Sequence, residues 1–195
     1  MNPLSNVWTL WFHKPYDTDW ALNSYKQIYS FNTLEDGIIL IENIDKKIVE
    51  KSMLFIMKKN IKPIWEVPEN NKGGCLSYKI DIENVNNVWK KLVYSLLGET
   101  LFDNEKIMNT INGISISPKK SFCIIKIWIS NINDLEDSEL FKYFQETIRE
   151  NKQTIQDKTI EDKSNIIENK DPLNIHLLCN IEQQICLFKY HNVIY

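Results

Sequence analysis

The chain lacks any apolar run long enough to cross a bilayer, and no basic-then-apolar stretch opens it, so the expectation is a cytoplasmic protein with no membrane partner. Paired cysteines are also missing. Cys75, Cys123, Cys179 and Cys186 are scattered with no CxxC among them, so neither a zinc site nor a disulfide framework is indicated and the expectation is reduced, mostly buried thiols. There is no excess of positive charge. At net −3 the chain cannot coat nucleic acid, and any such contact has to be local, a pocket beside a small basic spot. Arginine is nearly absent, Arg149 being the only one; with plentiful Lys, Asn and Ile, this fits AT-rich codons and a viral or protist source. Signatures of catalysis are lacking too. There is no GxxxxGK[ST], no GxGxxG and no dense glutamate cluster for magnesium, and His13, His176 and His191 form no nucleophile-and-base pattern. The chain therefore reads as a binding protein, not an enzyme, with no cofactor and no metal.

What is present fits one domain over residues 1–195, long enough for a sizeable core. Val7–His13, Leu22–Phe31, Ser52–Met57 and Cys75–Ile80 read as strands, and Gly113–Ser117 with Phe122–Ile129 as a hairpin around Pro118-Lys119-Lys120. Thr33-Leu34-Glu35-Asp36 reads as a capping start for a helix through Ile38–Ile44. The plainest helix runs over Val85–Leu97. Val85, Val88, Trp89, Leu92, Val93 and Leu96 fall on one face, Asn87, Lys90, Lys91 and Tyr94 on the other, and Gly98 follows as a C-cap. Leu135–Arg149 reads as a third helix, 150–171 as a mobile insertion or solvated helix, and Ile175–Cys179 and Ile185–Tyr190 as closing strands. Strands interspersed with three long helices predict an α+β fold, an antiparallel sheet with helices on one face.

The six tryptophans carry the functional signal. Trp8, Trp11 and Trp89 sit in apolar patterns and read as core. Trp20 and Trp65 stand in loops instead, Trp65 between Pro63 and the turn Gly73-Gly74. Two indoles can sandwich a flat cationic ring, gaining about 0.5–2 kcal/mol per face from cation–π attraction. The next residue, Glu66, offers a carboxylate that could accept both the N1–H and the amine of a guanine. A 7-methylguanine, cationic and guanine-edged, satisfies both demands, which points to the 5′ cap of messenger RNA. Lys119 and Lys120 at the hairpin tip and Lys126 on its return strand are candidates for the cap's phosphates. Lys126 and Trp128, two apart on a strand, share a face, so Trp128 could flank the methyl group.

The ordered set resembles the eukaryotic translation initiation factor 4E family. The resemblance is carried by Asn2-Pro3-Leu4, Trp8-Thr9-Leu10-Trp11-Phe12, Phe31-Asn32-Thr33-Leu34-Glu35-Asp36, Pro63-Ile64-Trp65-Glu66 with Gly73-Gly74, Trp89, Leu96-Leu97-Gly98-Glu99, Gly113-Ile114-Ser115-Ile116 and Lys126-Ile127-Trp128. It covers Pro3 to about Phe144 and weakens beyond. It implies a strongly curved sheet with three helices on its convex back and the cap on its concave face. It places Trp20 and Trp65 at the cap-stacking tryptophans, Glu66 at the guanine-reading glutamate and Trp128 at the methyl contact. Lys119 falls on a phosphate-binding arginine, while a further phosphate lysine aligns with Ile124, leaving Lys120 or Lys126 to substitute.

The resemblance also implies a partner helix on the convex back, supplied by a scaffold of the initiation factor 4G type. Pro3, Leu4 and Leu34 match the apolar groove, but the family's central tryptophan is Ile38 here, two partner-facing leucines become Lys90 and Tyr94, and an acidic position becomes Lys91. A basic partner residue would then meet like charge. The expectations are a reader that recruits capped mRNA for translation initiation through that scaffold or a dedicated replacement, or alternatively a cap-binding repressor that does not engage the usual scaffold.

Overall fold

In the computed structural model, the described residues are 1–131 and 186–191. Among these residues seven strands form a single curved antiparallel sheet in the order β2-β1-β3-β5-β6-β4-β7. They are β1 (Pro3–His13), β2 (Lys26–Thr33), β3 (Met53–Lys58), β4 (Gly74–Asp81), β5 (Ile111–Pro118), β6 (Phe122–Ile129) and β7 (Cys186–Tyr190). Between them run α1 (Leu34–Asn43), α2 (Lys46–Lys51), the single turn α3 (Pro68–Asn71), α4 (Ile82–Leu97) and α5 (Glu105–Thr110). This is the expected α+β architecture, with α1, α2 and α4 packed together and against the sheet.

Strand alternation sorts side chains between two cores. Leu54 and Ile56 of β3, Leu76, Tyr78 and Ile80 of β4, and Ile125, Ile127 and Ile129 of β6 point to the helices, where they meet Val85, Val88, Trp89, Leu92 and Leu96 of α4. Each such fully buried aliphatic contributes about 1.5–3 kcal/mol. Met53, Phe55 and Met57 of β3 point the other way and gather with Tyr25 and Trp128 in a smaller cluster on the helix-free face.

Several elements differ from the expectation. The strand expected over Leu22–Phe31 begins at Lys26 and runs to Thr33, because Leu22–Ser24 forms a 3-10 turn. Ser24 closes it locally, its backbone N–H and its hydroxyl both donating to the Ala21 carbonyl. Helix α1 starts directly after Thr33, whose hydroxyl accepts from the Asp36 N–H and donates to the Asp36 carboxylate at 2.7 Å. Helices α2 and α5 were not expected; Asp45 and Asn104 cap them through side-chain oxygens. Helix α4 spans its expected range and stops at Gly98, but the left-handed residue of the cap is Glu99, at φ 56°. The expected helix Leu135–Arg149, the insertion 150–171 and the strand Ile175–Cys179 lie outside the described residues.

Cys75 and Cys123 are buried and free, and burial with nearby Glu50 pushes the Cys123 thiol up to about 11. Among the described residues, no helix is long and apolar enough to cross a membrane.

Candidate functional site

On the helix-free face, six ring contacts join seven rings into one continuous arc, with Trp20 at one end and Trp65 at the other. Trp20 lies parallel on His13 at 4.7 Å, and His13 leans on Tyr25 at 4.5 Å. Tyr25 meets Phe55 edge-on at 5.5 Å, and Phe55 meets Trp128 at 6.3 Å. Trp128 touches His191 at 5.0 Å, and His191 lies parallel to Trp65 at 5.6 Å. The inner rings are buried, but Trp20 is 54% and Trp65 44% exposed, so the arc ends in two accessible indoles.

Each end is held by its own backbone device. At the Trp20 end, Asp17 accepts from the Asp19 N–H and Asp19 from the Ala21 N–H, the local turns that short acids favour. The His13 ring, fully buried, donates from Nε2 to the Asp19 carbonyl at 2.8 Å, which fixes the strand end to the loop. At the Trp65 end the organiser is Asn70, also fully buried. Its amide donates to the carbonyls of Lys62 at 3.0 Å and Ile64 at 2.8 Å, pinning the chain that leads into Trp65. Its own oxygen accepts from Asn112, whose amide also reaches the Glu69 carbonyl. Asn112 lies at the register shift of the β5–β6 pair, a bulge that re-aims a side chain.

Trp128 is buried in the middle of the sheet, its indole N–H donating to Ser115 at 2.9 Å. Its strand neighbour Gly113, paired with Trp128 on one side and Met57 on the other, lets β3 approach closely; a Cβ there would run into the Ile56 carbonyl and the Met57 sulfur. Lys126, two residues before Trp128, carries its ammonium 5.0 Å above the Trp65 ring. Glu66 is exposed, and its charge reaches both arms of the arc. Burial and then Glu66 push the Tyr25 hydroxyl up to about 12, and Glu66 also acts on His191. Trp20, Trp65, Glu66, Lys126 and Trp128 therefore share one face. Lys119 and Lys120 are exposed at the hairpin tip, where the Lys119 N–H closes the turn on the Phe122 carbonyl.

Sequence reasoning missed His13, Tyr25, Asn70, Asn112 and His191. Only His13 left a signal, lying two residues after Trp11 and so on its face of β1.

The residues expected on the back also form one surface. The Asn2 carbonyl accepts from the Leu34 N–H and the Asn2 N–H donates to Glu35, which sets Pro3 and Leu4 beside the start of α1. Leu4 and Leu34 pack half-buried against the core, and Ile38 is 40% exposed. Across from them on α4, Lys90 donates to Glu42 at 2.6 Å and the Tyr94 hydroxyl bonds the same carboxylate. Lys90 and Tyr94 thus join in a polar clamp between α1 and α4, with Lys91 half-buried alongside.

Taken together, these features define an α+β protein with an antiparallel sheet, helices on its back and an aromatic arc across its front. A complex of C. elegans eIF4E-3 with the 4E-binding protein Mextli and cap analog superposes with a TM-score of 0.68 over 97% of this chain and 92% of that one, at 19% identity. Ascaris suum eIF4E-3 with m7G cap gives 0.59 at 26% identity, over 67% of this chain and 74% of that one. In sequence, the Eukaryotic initiation factor 4E family pattern matches residues 3–172. Eukaryotic translation initiation factor 4E-2 of Schizosaccharomyces pombe is 33% identical over 171 residues, 84% of this chain and 69% of the relative. A viral relative, the initiation factor 4E homolog of Acanthamoeba polyphaga mimivirus, is 34% identical over 107 residues, 48% of this chain and 39% of its own. The chain belongs to the eukaryotic initiation factor 4E family, whose members are cap-binding translation factors and not enzymes.

Proposed function

We propose that this protein, as one cytoplasmic domain over residues 1–195, holds the 7-methylguanosine cap of mRNA between Trp20 and Trp65 and recruits capped mRNA for translation initiation. The observation that carries this reading is the aromatic arc ending in two accessible indoles. An indole on each face of the cationic base adds about 0.5–2 kcal/mol per face. Glu66 accepts from the guanine edge, a pattern that adenine cannot match. Trp128, buried beside the Trp65 end, borders the methyl group. Lys126 leaves the Trp65 ring to meet phosphate, and Lys119 and Lys120 at the hairpin tip follow the phosphate chain outward. On the back, Pro3, Leu4, Leu34, Ile38, Lys90, Lys91 and Tyr94 receive a scaffold of the initiation factor 4G type or a dedicated replacement.

The test is tryptophan-fluorescence titration with 7-methyl-GTP against GTP. Saturable quenching that favours the methylated ligand by about tenfold or more, roughly 1.4 kcal/mol, and that disappears in Trp65→Ala and Glu66→Ala, supports the reading. Equal affinity for the two ligands would overturn it.

The Glu42–Lys90–Tyr94 clamp favours a second reading, a cap-binding repressor that does not engage the usual scaffold. A scaffold peptide of the 4G type that binds the cap-loaded protein argues for recruitment; no binding argues for repression.

A further inference from the structure

His191 comes from the far end of the described chain and is joined to the Trp65 loop in three ways. Its backbone N–H donates to the Gly73 carbonyl at 3.1 Å. Its Nδ1 lies 2.8 Å from the Asn70 carbonyl, and because a carbonyl can only accept, Nδ1 carries the proton. Its ring lies parallel to the Trp65 indole, at an interplanar angle of 5°, and leans on Trp128. These contacts close a loop. The chain from Ile64 through Trp65 reaches Asn70, Asn70 holds the imidazole, and the imidazole backs the indole. Among the described residues the other ring nitrogen, Nε2, is buried with no hydrogen-bond partner, so they accommodate one tautomer of the neutral ring and offer nothing to a second proton.

We infer that His191 is a positioning residue for Trp65, holding the indole ready for the ligand only while its imidazole is neutral. This inference rests on the cap-binding reading above. An indole 44% exposed on a loop has few neighbours to fix its plane, and His191 supplies one parallel ring, anchored independently of the ligand. Protonation at Nε2 would place a charge in a buried, unpartnered position. Burial is the largest influence holding the ring below the ordinary histidine value of 6.5, and the Lys126 ammonium works in the same direction; the Asn70 carbonyl and the Glu66 carboxylate oppose them. Because the docked value is depressed, docking is at full strength above 6.5 and is lost progressively as pH falls below it. One pH unit below that value, an undocked, freely titrating ring gains up to about tenfold over the docked one.

The experiment measures 7-methyl-GTP affinity of the full chain by tryptophan fluorescence at pH 7.5 and 5.5, for wild type, His191→Ala and His191→Phe. His191→Phe keeps a ring against Trp65 but cannot titrate. The ratio of wild-type to His191→Phe affinity at each pH cancels the titration of the ligand's phosphates and of every other protein group. The expected result is a loss of about fivefold or more in His191→Ala at pH 7.5, roughly 1 kcal/mol, with near-normal affinity in His191→Phe. The wild-type to His191→Phe ratio should then fall about three- to tenfold on going to pH 5.5. An unchanged ratio, or a His191→Ala variant that binds within twofold of wild type at pH 7.5, overturns the inference while leaving cap binding intact. Failure of the wild type to prefer the methylated ligand is the separate failure of the function itself. If His191→Ala does not fold, the His191→Phe ratio alone decides.

Discussion

Asn70 donates two side-chain hydrogen bonds into the chain that leads to Trp65, and removing that side chain gives a graded prediction. Asn70→Ala deletes two donated hydrogen bonds, to Lys62 and Ile64, and one accepted from Asn112. Asn112 keeps its bond to Glu69, so its amide is not stranded. The two loop carbonyls lose their donor. Leaving a buried polar group unsatisfied costs about 1–3 kcal/mol; Lys62 is exposed and can find water, whereas Ile64 is half-buried. The expected loss is about 2–4 kcal/mol. Asn70→Asp keeps the shape but turns both donors into acceptors facing carbonyls, so it should be worse than alanine. Urea denaturation reads the change as a lower midpoint at unchanged slope. Because His191 is anchored on the backbone carbonyl of residue 70, neither substitution removes that anchor. If the ligand must re-order the loop, about 2 kcal/mol of that loss appears as roughly thirtyfold weaker binding of 7-methyl-GTP. An Asn70→Ala protein within about 0.5 kcal/mol of wild type, or an Asn70→Asp protein more stable than Asn70→Ala, would refute the reasoning.

Three further outcomes follow from other parts of the molecule. Trp89→Ala, at a fully buried position under the helix layer, should cost about 3–5 kcal/mol in urea denaturation while the folded fraction binds ligand normally, since the site lies on the opposite face. Glu99→Gly should raise the thermal midpoint, because a non-glycine residue held at φ 56° gives up about 1 kcal/mol that glycine recovers in part. The Glu35 carboxylate, held below its usual range first by the Asn2 backbone hydrogen bond, stabilises the fold above its ordinary value of 4.5 and ceases to do so as pH falls below it; Glu35→Gln should therefore flatten the acid limb of a stability-against-pH curve.

The parts of the fold that sequence made visible are those whose signal is local. Helix α4 announced its buried face through spacing alone, and Thr33 with Asp36 announced the start of α1. The β5–β6 hairpin was legible because Pro118-Lys119-Lys120 interrupts two apolar runs. Helices α2 and α5, six residues each, are too short for periodicity to show, and their only marks were the caps Asp45 and Asn104. The start of β2 is hidden in the sequence because Leu22 and Tyr25 look strand-forming while Ser24 bonds backward into a turn. At the site, Trp20 and Trp65 stood out because tryptophans in polar loops have no core to explain them. The supports of those tryptophans did not stand out. Asn70 looks like any turn asparagine until Asn112 reaches it across 42 residues, and His191 contacts it from 121 residues away.

The most direct test of the central claim is a crystal structure of the protein soaked or grown with 7-methyl-GTP. The base is expected between Trp20 and Trp65, its N1 and amine edge on Glu66, its methyl group toward Trp128 and its phosphates toward Lys126 and the hairpin tip. Density for the base away from the two indoles, or against only one of them with Glu66 uninvolved, would contradict it.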